Sequence, residues 1–237
     1  MPPELKIAHD RHPEPLPRER EQGRDVVLVT GFHPFADESC NPSWDLCGLL
    51  PPRIDGMRVE TLSVPCEFRR SIEIVASAIE RHHPELVICV GQAGGRAHVS
   101  IERVAINVDD ARIADNAGEQ PIDERIAANG PPAYFATVPV KAMAAAIRAA
   151  GIPAEVSNTA GTYVCNHLMY GVLHYIAASG NRARAGFIHV PYAEQQVLDK
   201  RAIPAMAVSS MAKAIEAAIV AAHRHRHDVP VSEGALE

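Results

Sequence analysis

Ala154-Glu-Val-Ser-Asn-Thr-Ala-Gly-Thr-Tyr-Val-Cys165-Asn-His-Leu-Met-Tyr-Gly-Val-Leu-His-Tyr-Ile176 changes its backbone period partway along. Ala154 to Ser157 reads as a short strand. The residues that follow are small and polar and include Gly161, the composition of a turn. From Asn166 to Ala178, Leu168, Val172, Tyr175 and Ile176 fall on one face at helical spacing. A strand delivered through a turn into a helix is the repeating unit of an α/β sheet.

The same alternation extends outward in both directions. Val26 to Thr30 is a β-branched run that stops at Gly31 and reads as a buried strand. A loop follows to Asn41, and Pro42 suits the first position of a helix running to Leu50. Arg58 to Val64 predicts a second strand. Phe68 to His82 carries a helical stripe at Ile72, Val75, Ala76 and Ile79, and Leu86 to Val90 is a third strand ending in glycine. Val104 to Val108 is expected to be extended. Arg112 to Asn129 is polar, broken by Pro121, and a candidate functional loop. Pro139 to Ala150 predicts a helix, Ala185 to Val190 a strand, and Ala202 to Ala222 a long closing helix begun near Pro204. The expected architecture is a single-domain, three-layer α/β/α fold with an open, twisted, largely parallel sheet.

The composition frames this reading. The chain has 237 residues, 47% hydrophobic and 22% charged, enough to enclose a core. Its net charge of -6 gives no footprint for nucleic acid. Residues 1–24 are rich in proline and charge and are expected to be a disordered extension of a folded domain over 25–222. Residues 223–237 are expected to be a frayed helix end and tail, with a solvated His-Arg alternation favoured over a metal site. No segment reads as a signal peptide or a membrane span. The five cysteines, Cys40, Cys47, Cys66, Cys89 and Cys165, are odd in number and irregularly spaced, which suits reduced thiols in a cytosol.

Ligands of open α/β sheets sit beyond the carboxyl ends of strands. The places to search are therefore Gly31, Gly91, Ser157 and Val190 onward. Cys165 falls at or just before the first turn of its helix, where free amides and the positive dipole end favour a thiolate and can hold an oxyanion. By position alone it remains as well explained as a small buried hydrophobe. Cys89, Cys47 and Cys66 look packed, and Cys40, before the first helix, is the competitor. A nucleophilic cysteine needs a base, normally histidine. His189 ends the strand Gly186-Phe-Ile-His189-Val-Pro-Tyr and should face the sheet edge of Cys165, while His167, His174 and His33 stay open as alternatives. Glu102, beside Arg103, could orient an imidazole, but a lone glutamate beside an arginine is usually a surface ion pair.

Four motifs in order resemble pyroglutamyl peptidase type I, a family of cysteine peptidases. They are Thr30-Gly-Phe-His-Pro-Phe35 with Asn41-Pro-Ser-Trp44; Gly91-Gln-Ala-Gly-Gly-Arg96 with Ser100-Ile-Glu102-Arg-Val-Ala-Ile-Asn107; Ser157 to Asn166; and Phe187-Ile-His-Val-Pro-Tyr192. The resemblance spans about Val26 to Ala222. It implies a triad of Cys165, His189 and Glu102, with a pocket formed by Phe32, Phe35, Asn41, Gln92, Ile113, Tyr163 and Val164. It also implies a cytoplasmic homotetramer that acts on peptides with an N-terminal pyroglutamate and uses no metal and no cofactor. The expected reaction is hydrolysis of the amide bond after that residue, by thiolate attack and through a thioester. One departure stands out: Ala36-Asp37 replaces the glycine pair of the family's Pro-Phe-Gly-Gly-Glu.

Two other readings compete. A strand followed by Gly91-Gln-Ala-Gly-Gly95 could cradle phosphate in a phosphorylase-like enzyme, although its spacing matches neither GxGxxG nor a Walker loop. A non-catalytic binding homologue with a decayed site is the third.

Overall fold

The apolar runs of the sequence become the inner strands of one sheet in the computed structural model, which describes residues 25–36 and 38–234. The expected extension over 1–24 and the Asp37 half of the altered loop lie outside the described residues. In chain order the elements are β1 (Val26–Phe32), α1 (Pro42–Asp45), β2 (Arg53–Ile54), β3 (Met57–Val64), α2 (Arg70–His82), β4 (Leu86–Gln92), β5 (Val99–Glu102), β6 (Val104–Ile106) and β7 (Ala133–Phe135). They continue with α3 (Val140–Ala149), β8 (Ala154–Ser157), α4 (Val164–Ser179), β9 (Arg184–Val190), β10 (Tyr192–Ala193), β11 (Ala205–Met206) and α5 (Val208–Arg224).

The main sheet has seven strands in the order β2-β3-β1-β4-β9-β5-β8. Its central strands β3, β1, β4 and β9 are parallel, and β1, β4 and β9 are buried on both faces, as expected for near-continuous apolar runs. Alternate residues feed two cores. Val27, Val29, Ile88, Val90 and Ile188 meet α3 and α5 on one face, and Leu28, Val87, Cys89, Ala185 and Phe187 meet α2 and α4 on the other. The three-layer α/β architecture follows. Each fully buried Leu, Ile or Phe contributes about 1.5–3 kcal/mol. Helix α4 runs tightly along α2: a Cβ at Gly171 would come 2.1 Å from Ile72. It ends at Gly180, whose φ of 67° is the left-handed conformation a helix stop favours.

Three local differences from the sequence reading have physical causes. The segment carrying Glu102 is itself a strand, β5, antiparallel to β9 and parallel to β8. Val99 and Ile101 point into one core while Ser100 and Glu102 are buried on the other face, so polar residues mask its inward alternation. Because β5 and β8 run opposite to β9, Ser157 is level with Phe187, midway along β9, and does not share the carboxyl edge with Gly31, Gly91 and Val190. The helix expected over Ser43 to Leu50 is one α turn followed by a 3-10 turn, since Pro51 and Pro52 disfavour helical backbone before them. The closing helix starts at Val208, after β11 pairs with β10; Pro204 disfavours helix at Ile203, and Ala202 is left-handed at φ 57°.

The chain beyond the closing helix is docked up to Gly234. Helix α3 lacks a side-chain cap of its own. The Asp228 carboxylate accepts from the N–H groups of Lys141 and Ala142 instead, while Glu233 pairs with Arg148. His223 and Arg224 both bond to Asp55. No helix of the described residues is long and apolar enough to cross a membrane.

Candidate active site

Three strands and the start of one helix converge on the α2/α4 face of the sheet. Side chains alternate along β9, so His189 shares this face with Ala185 and Phe187. Neighbouring β4 places Gly91 directly opposite His189, and β5 places Ser100 there on the other side. Helix α4 arrives over Gly91. The Cys165 sulfur lies 3.0 Å from where a Gly91 Cβ would stand, with the Phe187 ring at 2.8 Å from the same point. Gly91 is glycine because the thiol and that ring occupy its side-chain space.

Cys165 is the second residue of α4, after Tyr163, which caps the helix with extended backbone and no side-chain bond. The N–H groups of Val164, Cys165 and Asn166 therefore have no acceptor within the helix and point toward the thiol end. Asn166 secures the position. Its side chain accepts from Ile106 N–H and donates to the carbonyls of Ile106 and Val108.

Behind the histidine lies the carboxylate. His189 Nδ1 is 2.7 Å from Glu102 Oε1, and Glu102 is completely buried. An ionised Glu102 can only accept, so Nδ1 carries the proton and Nε2 is left as an acceptor. Burial pulls the Glu102 carboxyl up, but the His189 hydrogen bond and charge, the nearby Ser157 hydroxyl and Arg96 outweigh it and hold the group below its ordinary value. The partner of Glu102 is thus Arg96, at 2.7 Å, while adjacent Arg103 turns away to the Glu233 carbonyl.

The thiol differs from the simplest expectation. Burial pushes Cys165 up to about 12, the Glu102 charge adds to the rise, and Arg96 opposes it. Enclosure by its neighbours thus works against the pull of the helix end, and the thiolate is favoured as a neighbouring base takes its proton.

The alternative histidines are accounted for by their own bonds. His167 has Nδ1 2.7 Å from Asp109 Oδ2, and its Nε2 accepts from Arg69 N–H at 2.7 Å. A ring nitrogen that accepts a backbone N–H carries no proton and cannot take one without breaking that bond. His174 bonds Tyr134 and stacks on Tyr170. His33 is exposed in the first loop. The Gln195 amide lies 3.8 Å from the Cys40 sulfur.

The residues expected to line a pocket divide into groups. Phe35 and Tyr163 form an aromatic wall, ring centres 5.4 Å apart. Phe68, which nothing in the sequence marked, extends it with a T-shaped contact to Tyr163 at 5.4 Å. The Tyr163 hydroxyl donates to Ala114 O, tying the wall to the loop that carries the partly exposed Ile113. Phe32 and Val164 are buried beneath, Phe32 facing Phe187 at 6.4 Å. Asn41 caps α1, receiving Ser43 N–H and donating to His33 O. The Gln92 side chain accepts from Gln196. The loop over 112–129 is held in place by Asp115, whose carboxylate accepts from Phe68, Ala117 and Glu119 N–H groups.

Of the glycines of Gly91 to Gly95, Gly91 and Gly94 are explained by packing and Gly95 by its left-handed backbone, φ 91°. A Cβ at Gly94 would stand 2.2 Å from the Tyr192 ring, so this turn leaves room for side chains and does not read as a phosphate cradle.

Comparison with known proteins identifies the family. The sequence model of the family described as pyroglutamyl peptidase matches residues 25–225. A pyrrolidone-carboxylate peptidase of Alkaliphilus oremlandii (strain OhILAs) is 48% identical over 210 residues, covering 89% of this chain and 99% of that protein. One of Yersinia pestis (strain Pestoides F) is 48% identical over 211 residues, covering 89% and 98%. The crystal structure of pyroglutamyl peptidase I from Bacillus amyloliquefaciens superposes with a TM-score of 0.85 at 42% identity, over 88% of this chain and 100% of that one. Pyrrolidone carboxyl peptidase from Thermococcus litoralis gives 0.84 at 38% identity, over 87% and 99%.

Proposed function

The chain belongs to the pyroglutamyl peptidase family, and from that premise we propose that Cys165, His189 and Glu102 carry its hydrolysis of the amide bond after an N-terminal pyroglutamyl residue. The observation that supports this assignment most is the buried Glu102–His189 pair at 2.7 Å, directly across the β4–β9 ladder from the glycine over which the thiol sits.

The chemistry follows from the protonation states. As the Cys165 sulfur bonds to the pyroglutamyl carbonyl carbon, its proton passes to His189 Nε2 and the carbonyl π pair moves onto oxygen. The free first-turn amides of α4 receive that oxyanion. Collapse breaks the C–N bond, and His189 returns the proton to the departing amine. A thioester remains. Water then attacks it, giving its proton to His189, and the sulfur leaves with that proton as pyroglutamic acid is released. Glu102 holds the Nδ1–H tautomer and stabilises the imidazolium.

The pocket reading assigns Phe35, Tyr163 and Ile113, with Phe32 and Val164 behind them, to the lactam ring, and Asn41 and Gln92 to the polar edge of the site. Aromatic walls suit a neutral five-membered lactam, whereas a charged amine would lose hydration without gaining a partner. A pyroglutamyl amide and the matching prolyl amide test this directly. The first is cleaved and the second, with its ring ammonium, is not; comparable rates would refute the pocket assignment.

The assembly and location are extensions of the same reading. A homotetramer is supported by exposed apolar side chains at Ile122, Phe135 and Leu198, and a cytoplasmic setting by five free cysteines. Sedimentation of the purified chain decides the first.

A further inference from the structure

Arg96 has no step in the reaction above, yet it touches two parts of the machinery. Its Nη1 donates to Glu102 Oε1 at 2.7 Å, the same oxygen that His189 Nδ1 meets at 2.7 Å. Its Nη2 donates to the Thr159 carbonyl at 3.3 Å. Thr159 belongs to the turn between β8 and α4, which delivers Cys165. One guanidinium therefore spans the carboxylate behind the histidine and the approach to the nucleophile. Glu102 is completely buried, and a buried carboxylate without a paired charge is costly. Two donors in a rigid plane suit this double attachment, and a lysine ammonium lacks that fork.

We propose that Arg96 is a positioning residue of the reacting centre, holding the Glu102 carboxylate with Oε1 aimed at His189 and fastening the turn that presents Cys165. The proposal rests on the assignment of Cys165, His189 and Glu102 to the chemistry. Arg96 also acts on both ends electrically: it opposes the upward pull of burial on Glu102 and on the thiol. Its side chain is 30% exposed, so a substitution there leaves no sealed cavity.

The test compares Arg96→Gln and Arg96→Lys with the native protein, beside Cys165→Ala and His189→Ala. Hydrolysis of a pyroglutamyl amide is followed across pH, and alkylation of Cys165 by iodoacetamide is followed by intact and peptide mass. In Arg96→Gln, kcat falls about ten- to a hundredfold, the loss expected for a charge-assisted hydrogen bond. KM stays within about twofold. The acid limb of the rate profile moves up by about one pH unit, and alkylation slows at every pH. Arg96→Lys restores the acid limb but not the full kcat, because it keeps the charge and loses the fork.

A folded Arg96→Gln with native kcat and an unmoved acid limb overturns the proposal. So does a loss of rate in both variants with unchanged pH dependence and unchanged alkylation, which is the mark of loop support alone. Full activity in Cys165→Ala or His189→Ala overturns the centre itself, and Arg96's role with it, whatever the Arg96 variants do.

Discussion

Replacing Gly91 with alanine introduces a single methyl group at the crowded point of the site. The new Cβ would stand 2.8 Å from Phe187 Cζ and 3.0 Å from both Phe187 Cε1 and the Cys165 sulfur. Carbon contacts are most favourable at about 3.5–4.0 Å, so either the ring or the sulfur must move by several tenths of an ångström. The ring has little freedom: Phe187 is completely buried, with the His189 ring 4.8 Å from its own. Overpacking of this kind costs about 1–3 kcal/mol. At about 2–4 °C per kcal/mol for a chain of this size, Tm falls by about 2–12 °C. A thiol moved by a fraction of an ångström up to about 1 Å loses as much as about a hundredfold in kcat. Calorimetry and steady-state hydrolysis of a pyroglutamyl amide read the two effects separately. Gly48→Ala is the control, since nothing lies within 4 Å of its added Cβ. A Gly91→Ala protein with native kcat and native Tm would refute the placement of Cys165 over Gly91.

Three further outcomes follow from the geometry. Ala36 holds φ 53°; relief of about 1–2 kcal/mol of left-handed strain, less the greater freedom of glycine when unfolded, makes Ala36→Gly about 0.5–1 kcal/mol more stable in urea titration, and a destabilised variant contradicts it. His167→Ala strands the buried Asp109 oxygen and the part-buried Arg69 N–H. It loses about 2–5 kcal/mol by denaturant unfolding while Cys165 in the folded fraction still reacts with iodoacetamide, whereas loss of that reactivity in folded protein would make His167 part of the chemistry. Folding lowers the Glu102 carboxyl, so its stabilisation is complete above the free glutamate value of about 4.3 and drains away as pH falls from there through the lower folded value. Unfolding midpoints of Glu102→Gln should therefore vary less with pH below about 4.5 than those of the native protein, and an unchanged or steeper slope refutes the sign.

The sequence carries the central sheet openly, because β1, β4 and β9 are buried on both faces and read as unbroken apolar runs. Strand β5 is hidden by the chemistry that makes it useful. Ser100 and Glu102 face a core, and no periodicity separates a buried glutamate from a surface one. The same limit made Arg103 look like its partner, when a chain reversal through Gly94 and Gly95 brings Arg96 there instead. Cys165 is visible as a helix-start cysteine after a glycine turn, but the enclosure that pushes its thiol up depends on Phe187, Cys89 and Glu102, which arrive from three different strands. Phe68 joins the aromatic wall only because Asp115, distant in sequence, holds its backbone N–H. The competing role of His167 is likewise closed by a backbone donor, Arg69, that no spacing rule could supply.

The nucleophile is tested most directly by release of a chromophore from a pyroglutamyl amide, measured for the native protein and for Cys165→Ala at matched circular dichroism. The native chain is predicted to be active, and Cys165→Ala to lose at least about a thousandfold in kcat while retaining its fold. A folded Cys165→Ala with native turnover would contradict the account.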